Sequence, residues 1–264
     1  MEVIAYSAAA FIGISLGLIG GGGSILTMPV LVYLFGISPL LATSYSLFIV
    51  GSTSLIGAVN NYRRGQLNLK AAFFFGAASI VTVFVTRKFI VPAIPIHLFP
   101  MAGHSISSSL ATMLLFGVLM LMASISMIRS KHDDTQEQDC KDCIKFFKLL
   151  GYGVSIGLVT GLLGAGGGFL LIPALVFLLK LPMKKAIGTS LLVIALNSLI
   201  GFVGDLGHFD IQWKFLLSVS AIAVTGLLVG NLIGKRIAGA QLKKGFGWFV
   251  LVMGIYIIVK EILT

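Results

Sequence analysis

Apolar stretches long enough to cross a bilayer follow one another along almost the whole chain, and they leave little room for anything but a membrane fold. A helix needs roughly 20 apolar residues to span a hydrocarbon core about 30 Å thick. Of the 264 residues 57% are hydrophobic and 11% charged, with a mean hydropathy of +1.04. Soluble domains carry about 25% charged residues, so a water-soluble fold is excluded. The start, Met1-Glu2-Val3-Ile4, lacks the basic region of a secretory signal, and no small-residue cleavage site closes the first apolar stretch. That stretch is read as a retained helix. The net charge of +10 sits in short clusters between apolar spans rather than along one face. It therefore points to loop retention by the positive-inside rule and away from nucleic acid.

The chain repeats itself. Ile12 to Leu34, with Gly17, Gly20, Gly23, Leu26, Pro29 and Leu31, matches Ile156 to Leu178, with Gly161, Gly164, Gly167, Leu170, Pro173 and Leu175, without a gap. The same offset carries Ala42 onto Ala186, Ser46 onto Ser190, Ser54 onto Ser198, Gly57 onto Gly201 and Lys70 onto Lys214. An internal repeat of this length outweighs any local pattern. The expected fold is all-α: one polytopic membrane domain over residues 1–264, with repeat one at about 1–128, a polar linker at about 129–148 and repeat two at about 149–264. Each repeat holds a glycine-interrupted helix pair (about 4–19 and 24–35; about 149–163 and 168–179) and three apolar spans. The spans are placed near 40–61, 70–90 and 107–128, and near 185–205, 213–234 and 244–262.

Whether each glycine-interrupted pair crosses the membrane or returns as a hairpin decides the topology. If it crosses, basic residues divide almost evenly between the two sides. If it returns, all but four of the 19 Lys and Arg share one side, leaving Arg87, Lys88, Lys214 and Lys260 opposite. The positive-inside rule then favours the hairpin, with both termini outside and the linker 129–148 cytoplasmic. Three full spans per repeat, an odd number, invert the second copy relative to the first. Inverted repeats with broken helices are a recurrent design of secondary transporters, with substrate bound where the repeats meet.

The glycine runs are the chemical candidates. Gly20, Gly21, Gly22 and Gly23 lie between two apolar helices, and so do Gly164, Gly166, Gly167 and Gly168. Glycine permits positive φ and close backbone approach, so each run can free peptide N–H groups at the start of the next half-helix. Those donors and the positive end of the helix dipole favour an anion. Backbone opened at membrane depth must be buried in protein or line a polar cavity. The competing account is close helix packing, which spaces small residues by four rather than bunching them. Neither run completes a P-loop or a dinucleotide fingerprint. Ser24, Thr43, Ser44 and Ser46 in one half, and Thr189, Ser190 and Asn197 in the other, are candidates to complete the site with hydroxyl and amide groups. Each can instead bond its own helix. No ionisable residue falls clearly within a span, so binding is expected to rest on dipoles. Asp205 and His208, at a span end, are candidates for proton coupling, and solvated loop groups otherwise.

Cys140 and Cys143 form a C-x-x-C in the polar linker beside His132, Asp133, Asp134 and Glu137, but a second ligand pair at zinc spacing is missing. They are read as reduced thiols, and no metal site or cofactor is assigned. A membrane enzyme would need a nucleophile with its base, or a metal cluster, inside the spans, and none is found there.

Gly17-Leu-Ile-Gly-Gly-Gly-Gly-Ser24 with Pro29, and Gly161-Leu-Leu-Gly-Ala-Gly-Gly-Gly-Phe-Leu-Leu-Ile-Pro173 followed by Ala186-Ile-Gly-Thr-Ser190, Asn197, Ser198, Gly201, Gly204, Gly207, His208 and Asp210, resemble the TauE/SafE family of sulfite and organosulfonate exporters. The resemblance covers both halves. It implies a bacterial-type cytoplasmic-membrane transporter for small sulfur anions such as sulfite, sulfoacetate or related sulfonates. The bilayer is then the setting, and a homo-oligomer is left open. Cys140, Cys143 and the loop from His97 to His104 fall outside the shared pattern. A secondary transporter working by alternating access is the first reading, and an anion channel on the same scaffold is the alternative.

Overall fold

The computed structural model describes residues 2–19, 24–93, 97–101, 104–129, 143–164, 166–179, 181–208, 210–234 and 239–263. Its order is α1 (Glu2–Ile19), α2 (Ser24–Tyr33), α3 (Pro39–Arg63), α4 (Leu69–Val85), a π-helical turn (Thr86–Ile90), α5 (Val91–Ala93), β1 (His97–Met101), β2 (His104–Ser107), α6 (Ser108–Arg129), α7 (Cys143–Leu163), α8 (Gly168–Leu179), α9 (Met183–Asp205), α10 (Trp213–Gly234) and α11 (Gly239–Leu263). The glycine-interrupted pairs and three long helices per half fall where the apolar pattern places them. Among the described residues four helical stretches, Pro39–Arg63, Leu69–Ala93, Lys184–Asp205 and Trp213–Ile233, are long and apolar enough to cross a membrane. The protein is an all-α polytopic membrane protein, save for the short antiparallel pairing of β1 with β2, where His97 faces Ser107 and Met101 faces His104. α7 also begins at Cys143, so the last residues of the presumed linker are already helical; Cys140 lies outside the described residues.

Glycines set the helix contacts. On α7, Gly153, Gly157 and Gly161 lie in turn against Phe75, Ser79 and Thr86, so α7 runs parallel to α4. Gly226 and Gly230 of α10 lie likewise against the Ala10 and Ile14 carbonyls of α1. At the centre, Gly51 and Gly57 of α3 face Leu199 and Leu191 of α9, and Gly201 of α9 faces Leu47 of α3. Those pairings run in opposite order, so α3 and α9 cross antiparallel. Without side chains at these points the backbones approach closely enough for dispersion to hold helices that lipid does not drive together.

Both short helices return toward the end from which their partners set out. Leu31, near the end of α2, packs with Ala9 of α1 and Ala42 of α3. Leu175 of α8 and Leu181 after it pack with Ala71, near the start of α4, and with Ala186 of α9. Hydrogen bonds recur at the repeat offset as well. Ile37 N–H donates to Leu31 O at 3.1 Å, and Leu181 N–H to Leu175 O at 3.4 Å. The Tyr45 hydroxyl accepts from Gln212 N–H at 2.8 Å, as the Thr189 hydroxyl accepts from Asn68 N–H at 3.0 Å. A central core of Ile12, Ile25, Met28, Met113, Phe116, Leu227 and Val250 joins α1, α2, α6, α10 and α11. Large apolar side chains such as Val81, Leu217, Leu232, Val252 and Ile262 face outward, as contact with acyl chains requires.

Candidate functional site

The second glycine run makes a sharp turn inside the protein. α7 ends with Gly164 N–H donating to Thr160 O at 2.9 Å, and α8 begins with Leu170 and Leu171 N–H sharing Gly167 O, both at 3.0 Å. Gly164, Gly166 and Gly167 take φ of +65°, +66° and +68°, the left-handed region in which an L side chain is strained. Space forbids a side chain too. A Cβ on Gly164 would strike the Thr43 backbone, one on Gly166 would come 2.7 Å from Val50 Cγ1 and 3.0 Å from Ser198 Oγ, and one on Gly167 would strike Thr160 Oγ1. The turn thus rests on α3 and α9, buried in protein rather than exposed to lipid. Gly168 opens α8 and is buried. Gly20, Gly21, Gly22 and Gly23 lie outside the described residues; Ser24, which follows them, is fully buried at the start of α2.

Beside this turn the structure holds a buried charge pair that the sequence reading did not find. Arg87, in the π-helical turn after α4, is 0% exposed, and its Nη1 lies 3.1 Å from Asp205 Oδ2 at the end of α9. The same Nη1 donates to Thr43 Oγ1 at 2.9 Å, and Ser44 Oγ donates to the same Asp205 oxygen. Arg87 Nε and Nη2 are buried with no hydrogen-bond partner among the described residues. Its stem lies along Gly201 and Gly204, where added Cβ atoms would come 3.8 Å from Arg87 Cγ and 3.2 Å from Arg87 Cβ. Lys88, next in sequence, is exposed, with its ammonium 5.5 Å from the Phe84 ring centre. Successive helical residues point about 100° apart, so Arg87 can face the bundle while Lys88 faces outward.

Two expectations are corrected here. A guanidinium and a carboxylate do stand inside the helix bundle, so the site has formal charge as well as dipoles. Asp205, at 1% exposure, is no solvated loop group but the partner of Arg87, while His208 is exposed one turn later. The signal for Arg87 lay in the apolar run that continues past it to Ala93, which puts a basic residue within the span rather than at its end.

The other candidates divide. Thr43 touches both Gly164 and Arg87, and Ser44 holds Asp205. Asn197 Nδ2 donates to Ser79 Oγ of α4 at 2.7 Å, with Asn197 Oδ1 and Ser198 Oγ unpartnered among the described residues. Ser46 is buried and likewise unpartnered there. Ser190 donates to its own helix at Ile187 O, whereas Thr189 accepts from Asn68 N–H and so ties α9 to the segment before α4. At the repeat offset, Arg87, Asp205 and Ser44 correspond to Asn231, Asn61 and Gly188. The charged pair therefore has a neutral counterpart. Asn61 Nδ2 donates to Gly57 O at 2.9 Å, and a Cβ on Gly188 would lie 3.2 Å from Asn61 Cβ. Among the described residues no group of three His, Cys, Asp or Glu could hold a metal ion.

Comparison with known proteins reaches the same region of function. The family model described as "Sulfite exporter TauE/SafE" matches residues 5–257. A "Probable membrane transporter protein" of Xylella fastidiosa (strain 9a5c) is 27% identical over 97% of this chain and 94% of its own length. The "Probable membrane transporter protein YunE" of Bacillus subtilis is 26% identical, covering 83% of each. A "Probable membrane transporter protein" of Haemophilus influenzae is 24% identical over 95% of this chain and 96% of its own length. No solved structure matches the chain significantly.

Proposed function

The chain belongs to the sulfite exporter TauE/SafE family, and from that membership we propose that this membrane transporter is a secondary carrier of a small sulfur-containing anion such as sulfite, sulfoacetate or a related organosulfonate. It works by alternating access across the cytoplasmic membrane and has no enzymatic step. The observation that carries the reading is the backbone opened at Gly164, Gly166 and Gly167 against a buried wall of α3 and α9, where the hydroxyls of Thr43 and Ser198 stand beside Val50 and Ile194. Opened backbone at membrane depth is tolerated where it is buried or lines a cavity, and half-helix starts beside such a cavity favour anions.

The antiparallel crossing of the equivalent helices α3 and α9, and the return of α2 and α8, support inverted repeats with re-entrant hairpins. The positive-inside rule then orients this arrangement with the linker 129–148 in the cytoplasm and both termini outside. Rocking of one repeat against the other then opens the cavity to each side in turn. Counterflow in proteoliposomes with a panel of sulfite, sulfoacetate and short alkanesulfonates tests it. Saturable exchange of at least one anion is expected, and Gly166→Leu is expected to abolish it in protein that is still inserted. Conductance without saturable exchange would replace the carrier with a channel, and exchange retained by Gly166→Leu would take the hinge out of the mechanism.

A further inference from the structure

We propose that the Nε–Nη2 edge of Arg87 is the group that holds the transported oxyanion, and that Asp205 on the opposite edge restricts the site to singly charged anions. The inference rests on the anion-carrier reading and adds the ligand and the charge rule to it.

The guanidinium is used on one side only. Nη1 is engaged by Thr43 and Asp205, whereas Nε and Nη2, at a fully buried residue, have no partner among the described residues. A buried charged donor left unpaired is unfavourable, so this edge is prepared for an acceptor. Nε and Nη2 form a planar fork that matches two oxygens of a sulfonate or similar oxyanion in a bidentate contact. Further donors stand around the same stretch of α7. Thr86 lies against Gly161 and Thr160 against Gly167, and both hydroxyls are buried without a partner among the described residues. The second glycine turn touches Thr43, whose hydroxyl accepts from Nη1, and so backs the Asp205 edge of the guanidinium.

Asp205 gives the site its charge rule. With Asp205 in place the empty pair is neutral, which lets a guanidinium remain buried without a bound anion. One incoming negative charge is met by the fork. A second would face the Asp205 carboxylate across a single guanidinium, in a setting where like charges repel strongly. The site thus selects R–SO₃⁻ or hydrogensulfite over sulfate or the sulfite dianion. The neutral counterpart at Asn231 and Asn61 gives the other repeat no such fork. Ser44, donating to Asp205, and Thr43, accepting from Arg87, hold the pair in register.

The test is calorimetric titration of the purified full-length protein with methanesulfonate and with sulfate. Wild type is expected to prefer methanesulfonate by at least about tenfold. Asp205→Asn is expected to shrink that preference at least about tenfold by strengthening sulfate, the reverse of what a merely structural lesion does. Arg87→Lys, which keeps the charge and loses the fork, is expected to weaken methanesulfonate at least about tenfold. Should either variant aggregate, the wild type alone still decides the charge rule: sulfate bound as tightly as methanesulfonate overturns it. An unchanged ratio in folded Asp205→Asn, or unchanged methanesulfonate binding in Arg87→Lys, overturns the inference. In those cases wild-type exchange in proteoliposomes keeps the carrier reading alive. Absence of anion exchange by wild type across the whole panel overturns the carrier reading, and this inference with it.

Discussion

Gly151 and Gly167 stand on the same hairpin and answer alanine in opposite ways. Gly151 is exposed on α7 with nothing within 4 Å of an added Cβ, so Gly151→Ala is expected to stabilise by about 0.5–1 kcal/mol through lower backbone entropy in the unfolded chain. Gly167 sits at φ +68° with the Thr160 hydroxyl in the way. Gly167→Ala is expected to cost at least about 1–2 kcal/mol in left-handed strain alone. Thermal unfolding in detergent separates the two, and equal shifts would contradict the turn geometry. The glycine turn was legible because only bunched glycines allow several positive φ values in succession. Arg87 was not, because burial of a charge depends on what another helix brings to it. Asp205 lies 118 residues away, and no local pattern links the two.

At the level of helices, the pairing of α7 with α4 depends on Gly157, where an added Cβ would lie 2.6 Å from Ser79 O and 2.9 Å from Thr82 Cβ. Gly157→Val is expected to destabilise by about 1–3 kcal/mol, as overpacking does, and to slow anion exchange by moving the hinge relative to Arg87. Gly76→Ala, on α4 itself, meets nothing closer than 3.6 Å and is expected to stabilise by about 0.5–1 kcal/mol in the same unfolding assay and to leave flux unchanged. Helix positions were readable because a membrane span is long and apolar, and the repeat let each half check the other. The pairing of β1 with β2 and the early start of α7 at Cys143 were not. Both lie in stretches where polar and apolar residues mix without a period, so that neither spacing nor the repeat marks an element.

For the whole molecule, the proposed orientation assigns each loop a side. Arg64, in the loop after α3, and His208, in the loop after α9, are both exposed. In a background with Cys140 and Cys143 replaced by serine, Arg64→Cys is expected to react with an impermeant thiol reagent only from the cytoplasm, and His208→Cys only from outside. Labelling of both from one side would rule out the inverted arrangement. The charge count that suggests this orientation places Arg87 among the outer basic residues, whereas the structure buries it in the bundle. Its removal leaves the bias in the same direction.

One link between distant elements makes the two hairpins mechanically unequal. Tyr33, the last residue of α2, donates its hydroxyl to Glu261 Oε1 at 2.9 Å, and the Lys260 ammonium sits 4.0 Å from the centre of its ring, with Tyr256 edge-on at 6.0 Å. At the repeat offset Tyr33 corresponds to Phe177, which offers no hydroxyl. In the proposed rocking motion the first hairpin, moored to the far end of the final helix, moves with it, whereas the matching position of the second hairpin offers no such mooring.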